Sequence, residues 1–302
     1  MLAPAAFWPT ILGVSFFVAG IVTYRRELLA ATSREAYGLV VLGPTFVAAS
    51  LAAFAGEHFT AARSLAQLVP KFLPGRLFIA YLVGVAHLAA ALSFVARRCI
   101  RWAALFLSIM FGLFVLLMDL PGSITHAGIR IFWILAARET TFALGALALF
   151  AIAVRDRWPA GSNNIASLAR FWTAFVLILF GSQNVVFPQY SPGVPDTTPT
   201  SAWVPLPHAI AYLTGILLIA FGIALLVRKF AGYAGALAGA LMTLLTIILY
   251  VPNFFLARTV AERVTAINFI FDTLLFAGML LVITRAILDS ESTPSARSQS
   301  AI

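Results

Sequence analysis

Residues 79–121 of this chain lie, without a gap, on residues 210–252. Both stretches open Ile-Ala-Tyr-Leu, at Ile79 and Ile210, and place a glycine shortly after, at Gly84 and Gly215. Both then reach a basic pair, Arg97-Arg98 and Arg228-Lys229, and close on a proline, Pro121 and Pro252. The match extends outward with small shifts, pairing Pro74 with Pro205, Gly56 with Gly181, and Glu139-Thr140 with Asp272-Thr273. A repeat of this length means that one supersecondary unit is built twice, and it restricts the fold more than any single motif does. The solvent of that unit follows from composition. With 62% apolar and 10% charged residues and a mean hydropathy of +0.98, the chain cannot cover itself with polar surface, and lipid must do so.

A bilayer core needs roughly 20 mostly apolar residues per helix. That rule predicts nine spans, near 5–23, 36–55, 76–96, 101–119, 131–154, 168–187, 206–227, 231–251 and 265–286. Turn chemistry separates them, as in Asp119 to Gly122, Arg157 to Gly161 and Val251 to Asn253. No segment alternates with period two, so a membrane barrel is not expected. The expected class is an all-α polytopic transmembrane bundle.

Placing the N-terminus outside puts most of the 20 lysines and arginines inside, among them Arg25, Arg26, Arg34, Arg97, Arg98, Arg101, Arg155, Arg157, Arg170, Arg228, Lys229, Arg285 and Arg297. The positive-inside rule then gives an N-out, C-in topology in a cytoplasmic membrane. Residues 1–30 read as a retained anchor helix, since the segment has no basic start and no small-residue cleavage site. The remaining helices parse as a unit over 36–154, a cytoplasmic linker over 155–167 and a second unit over 168–286. A polar tail, 287–302, is expected to be disordered. An even number of spans per copy makes the copies parallel, related by a pseudo-two-fold axis along the membrane normal.

The net charge of +9 has no basic stripe or aromatic RNA motif beside it, so no nucleic-acid partner is expected. One cysteine, Cys99, excludes an internal disulfide framework. No phosphate loop, metalloprotease histidine pair, hydrolase elbow or cysteine metal site is present, and no residue stands out as catalytic.

Glu57-His58-Phe59, the run Leu68-Val69-Pro70-Lys71-Phe72-Leu73-Pro74, Tyr81 with Gly84, and the basic turn Arg97-Arg98 together resemble the DoxX-like membrane proteins. These are small four-helix proteins of bacteria and archaea. The likeness covers roughly residues 38–154. Over 168–286 it retains Val204-Pro205 and Tyr212 with Gly215, while Ser182-Gln183 replaces the Glu57-His58 pair. It implies a bacterial or archaeal inner-membrane protein, accessory to a redox or quinone-linked system, with a membrane or periplasmic redox partner. It implies no catalytic residue. The tandem arrangement and the extra first helix depart from the family's single unit, and two units in one chain can replace a dimer of single ones.

Local chemistry centres on acids within the spans. Glu139 and Asp272 each lie about eight residues into a helix, or roughly 12 Å deep at 1.5 Å per residue. At that depth a carboxylate costs a few kcal/mol unless it is paired. They are either a proton-titrating or ligand-binding pair in a shared cavity, or packing residues hydrogen-bonded to a neighbouring helix. Arg138 is not expected to pair with Glu139, because adjacent helical side chains diverge by about 100°. It reaches Asp119, Glu57 or an anion, or it snorkels to the interface, which is the simpler expectation. Glu57 and His58 close their helix as either a binding pair or solvated interfacial groups. His87, in mid-span, brings haem to mind, but its counterpart is Leu218 and His58, His126 and His208 lie towards the rim; a satisfied or lumen-facing histidine is expected instead. The proline-rich stretch from Phe187 to Thr200 either covers a cavity, receives a partner or is a plain insertion.

Three functions remain open: a cofactor-poor component of a membrane redox system with a polar cavity near Glu57, His58, Arg138, Glu139 and Asp272, where a quinone or another amphiphile binds; a small-molecule or proton-coupled permease; and a scaffold for an envelope complex. Few polar residues line the inner halves of the spans, which places transport second.

Overall fold

The structure is a computed structural model that describes residues 3–31 and 37–291. Arg34, Arg297 and the tail beyond 291 lie outside the described residues. Among those described, nine helices are long and apolar enough to cross a membrane. They are α1 (Pro4–Ala31), α2 (Gly43–Thr60), α3 (Arg76–Ala96), α4 (Ile100–Thr125), α5 (Arg130–Val154), α6 (Pro159–Val186), α7 (Pro207–Leu226), α8 (Arg228–Leu256) and α9 (Val260–Glu291). The described residues hold no β-strand, only a single bridge between Tyr190 and Pro199. The chain is an all-α polytopic bundle.

The backbone repeats its irregularities in the register that lays Ile79 on Ile210. Gly75 and Leu206, each just before a helix, are both left-handed, with φ of 67° and 47°. A π-helical turn occupies Val115–Asp119 in α4 and Thr246–Tyr250 in α8. In these turns Leu120 N–H bonds the Val115 carbonyl and Val251 N–H bonds the Thr246 carbonyl. The cause is the residue that follows. Pro121 and Pro252 have no N–H, and their rings crowd the carbonyl four residues back. Widening the preceding turn lets the helix continue past them.

Several boundaries therefore move. Residues 120–122 and 251–253, expected as separators, are helical, and α4 and α8 run on to Thr125 and Leu256. The expected linker 155–167 is short, because Pro159 starts α6 from a position where its missing N–H costs nothing. Residues 287–291, expected in the tail, finish α9.

The helices also pack less symmetrically than the repeat suggests. In the second copy α6, α7, α8 and α9 form a closed ring of neighbours, α6 on α7, α7 on α8, α8 on α9 and α9 on α6. In the first copy α2 packs on α3 and α4 on α5, while α3 and α4 touch less. Helix α9 packs on both α2 and α5. It carries an unbroken buried run from Thr273 to Thr284, as suits a helix surrounded by others. Small residues allow the approach: a Cβ at Gly278 would stand 3.0 Å from the Val47 amide nitrogen. The expected anchor α1 is part of the bundle, packing along α2 and reaching α9 and α3. The Tyr24 hydroxyl donates to the Phe94 carbonyl at 3.1 Å and ties it to α3.

Candidate functional site

The space between α2, α3, α4, α5 and α9 is a chamber of about 480 Å³, closed over in part by residues 194–198 of the proline-rich loop. Helical spacing explains which side chains face it. Ile131, Leu135, Arg138 and Phe142 follow one another at intervals of three and four along α5. Thr265, Asn268, Phe269 and Asp272 do the same on α9, and Phe54, Glu57 and His58 on α2.

The five residues singled out from sequence, Glu57, His58, Arg138, Glu139 and Asp272, all line this chamber. Glu139 and Asp272 are joined through Arg138. Arg138 Nη1 donates to Asp272 Oδ2 at 2.7 Å and its Nη2 to Glu139 Oε1 at 3.2 Å. Two expectations are corrected here. Arg138 does not snorkel; it turns inward to the carboxylates. It also pairs with its chain neighbour, because the arginine stem is long enough to cancel the divergence of adjacent Cα–Cβ bonds. Its guanidinium carbon lies 5.8 Å from the centre of the Phe142 ring.

His87 faces the chamber, the second of its two expected placements. It is 3% exposed, and neither ring nitrogen has a hydrogen-bond partner within the described residues. Its ring meets that of His58 edge-on, with centres 5.3 Å apart. Burying such groups without partners costs on the order of 1–3 kcal/mol each. Glu139 Oε2 and Arg138 Nε are likewise buried without a partner. His58 Nδ1 is fixed by the Phe54 carbonyl at 2.9 Å. A carbonyl only accepts, so Nδ1 carries the proton and Nε2 of the neutral ring is an acceptor. Among the described residues no group of three or more His, Cys, Asp and Glu side chains is arranged to hold a metal ion.

Beneath the polar cluster the chamber ends on aromatic rings. Phe142 packs on Phe111 at 5.5 Å between centres and on Phe276 at 6.4 Å, and Phe276 packs on Phe180 at 5.4 Å. These four side chains are at most 3% exposed.

The proline-rich loop is an ordered cover. Residues 191–195 are buried. Asn184 on α6 clasps Gly193, accepting its N–H at 2.9 Å and donating to its carbonyl at 3.0 Å. The Tyr250 hydroxyl, on the second π-turn, donates to the Pro192 carbonyl. Arg130 donates to the Asp196 carbonyl at 2.7 Å and lies over the rings of Phe187 and Tyr190, at 4.4 and 4.8 Å. The loop thus brings Val194, Pro195, Asp196 and Thr198 to the chamber.

Sequence reasoning passed over Asn268, Thr265 and Asp196. The first was available as a signal, since Asn268 lies one helical turn before Asp272 and shares its face. Asp196 had none, because a loop folding over another unit is a tertiary event. Neither a protein-family model, nor a curated protein, nor a solved structure matches this chain.

Proposed function

We propose that this multi-pass membrane protein binds a small polar or amphiphilic molecule in the chamber at the Glu57 end of the bundle. It would act there as a DoxX-like, non-catalytic component of a membrane redox system, with a quinone-class molecule as the ligand the resemblance implies. One observation carries the reading: the Arg138-bridged acids Glu139 and Asp272 share a chamber of about 480 Å³ with an imidazole, His87, that no group among the described residues satisfies. Apolar pockets with a few convergent polar groups are where ligands are held. Ionisable side chains inside a membrane protein mark function by default.

The phenylalanine layer under the cluster favours a pocket over a continuous polar path, and so favours binding over permeation. A pure scaffold gives no reason for buried polar atoms without partners.

Mass spectrometry of lipids and small molecules carried by the purified protein tests the reading. A defined molecule retained by the wild type and lost from Glu139→Gln/Asp272→Asn supports it. Identical spectra holding only bulk phospholipid overturn it in favour of the scaffold.

A further inference from the structure

A second cavity, about 810 Å³, runs between α3 and α4, the loosely packed pair of the first copy. Its walls are aliphatic almost throughout, with Val83, Ala86 and Ala90 from α3 facing Met110, Leu113 and Leu117 from α4. His58, Leu65 and Phe114 line both this groove and the polar chamber. The two spaces therefore meet at His58, one polar and partly covered, the other apolar and bounded by the loosely packed α3 and α4. We infer that they are one bipartite site for a single-chain amphiphile, with its tail in the α3/α4 groove and a hydrogen-bond-donating, uncharged or cationic head in the chamber. This rests on the binding role proposed above and narrows its ligand: within the quinone class only the reduced, hydroxyl-bearing quinol carries such a head.

The head chemistry follows from the atoms that the protein leaves open. Glu57, Glu139, Asp272 and Asp196 line the chamber against one guanidinium, that of Arg138. Both terminal nitrogens of that guanidinium are already held, by Asp272 and Glu139. A phosphate or carboxylate head would meet a surplus of acidic side chains and would reach that guanidinium only in competition with two carboxylates already bound to it. The open acceptors are Glu139 Oε2, one nitrogen of His87 and Nε2 of the neutral His58 ring, against two open donors, Arg138 Nε and the other nitrogen of His87. Hydroxyl and ammonium groups satisfy the acceptors. Placing such a head beside His87 would also remove the cost of leaving that imidazole unpartnered in the bundle.

Access is lateral. The groove lies between helices that touch lipid on their outer faces, where Leu82, Val85, Phe106, Ile109 and Leu116 are exposed. An amphiphile already in the bilayer slides its tail between α3 and α4 and turns its head past His58. No water-filled path is needed.

Three probes with one tail and different heads test this on the full chain in nanodiscs: oleyl alcohol, oleylamine and oleyl phosphate, with binding measured by native mass spectrometry. The alcohol and the amine are expected to bind at least tenfold more tightly than the phosphate. Ala86→Trp, which fills the groove from a half-buried position, is expected to weaken both at least tenfold; Ala89→Trp, at an exposed groove position, repeats the test if the first variant does not fold. Glu139→Gln is expected to weaken the amine more than the alcohol, which separates the two donor chemistries. Phosphate binding as tight as the amine overturns the head assignment. Head selectivity that survives both tryptophans overturns the groove while leaving the chamber as a binding site. If Glu139→Gln/Asp272→Asn binds all three probes as the wild type does, the chamber itself is not the site and the proposed function falls with it.

Discussion

Arg138 on α5 and Asp272 on α9 meet at 2.7 Å, and the second acid of the repeat, Glu139, joins them from the residue next to the arginine. The guanidinium thus stands between two carboxylates that the repeat places at equivalent positions. Removing one partner of a buried pair costs about 3–5 kcal/mol, whereas removing Arg138 and Asp272 together leaves one uncompensated carboxylate, Glu139, in place of two. With side-chain exposures of 22% and 21%, the present pair belongs at the lower end of that range. Arg138→Met is therefore expected to lower thermal stability in detergent more than Arg138→Met/Asp272→Leu does. A double variant less stable than the single one would mean that Glu139, not Asp272, is the principal partner.

Asn184→Ala is expected to release the proline-rich cover. The substitution deprives the buried Gly193 N–H and carbonyl of their partner, at about 1–3 kcal/mol for each group left unsatisfied. Opening the loop to water relieves that cost, so the change should appear locally. Limited proteolysis should cut the variant between residues 187 and 204 well before the helices unfold. Equal protection in wild type and variant would show that Arg130 and Tyr250 hold the loop without Asn184.

The π-turns give a separate test. Pro252→Ala restores an N–H able to bond the Ile248 carbonyl and removes the ring that crowds it. A turn that closes to α geometry shifts the following register by one residue, about 100° around the axis. Tyr250 would then withdraw its hydroxyl from Pro192. The expected result is the same loop cleavage as in Tyr250→Phe, with no added effect when the two are combined. Additive effects would mean that the turn survives without its proline.

Glycines matched in the repeat do different work. A Cβ at Gly181 would lie 2.5 Å from the Gly215 carbonyl oxygen, whereas one at Gly56 would lie 2.9 Å from the Pro9 nitrogen. Overfilling a tight contact typically costs about 1–3 kcal/mol, and more where backbone must move. Gly181→Val is expected to separate α6 from α7 and destabilise the second unit. Gly56→Val should loosen α1 instead, read as faster hydrogen exchange confined to α1 and α2. Exchange spreading to α3 and α5 would count against that division.

Helix number and class were legible because they depend on the length and apolarity of segments, which composition carries directly. The pairing of Glu139 with Asp272 was approachable because a repeat transfers position between copies. Pro121 and Pro252 misled because a proline followed by glycine or asparagine reads as a helix end, and only backbone geometry reveals that a widened turn carries the helix through. Arg138 misled for a different reason. The 100° rule describes where side chains start, and a long flexible stem can end elsewhere. That α9 would part α2 from α5 was not legible at all, since a run such as Thr273 to Thr284 looks the same in lipid as in a protein core.

The burial of α9 sets an order of assembly. It is the last of the nine described membrane helices to be made, yet α1, α2, α5, α6 and α8 all pack on it. Chains fold from the N-terminus as they emerge, so the eight earlier helices can only wait as a loose cluster around a missing axis. Arg138 and Glu139 have no Asp272 to meet until the final helix arrives. The ion pair therefore marks the completion of biogenesis: a chain released before α9 would keep Arg138 with Glu139 as its single partner and one arm of the guanidinium unmatched in the membrane, the kind of defect that quality-control proteases in a bilayer can recognise.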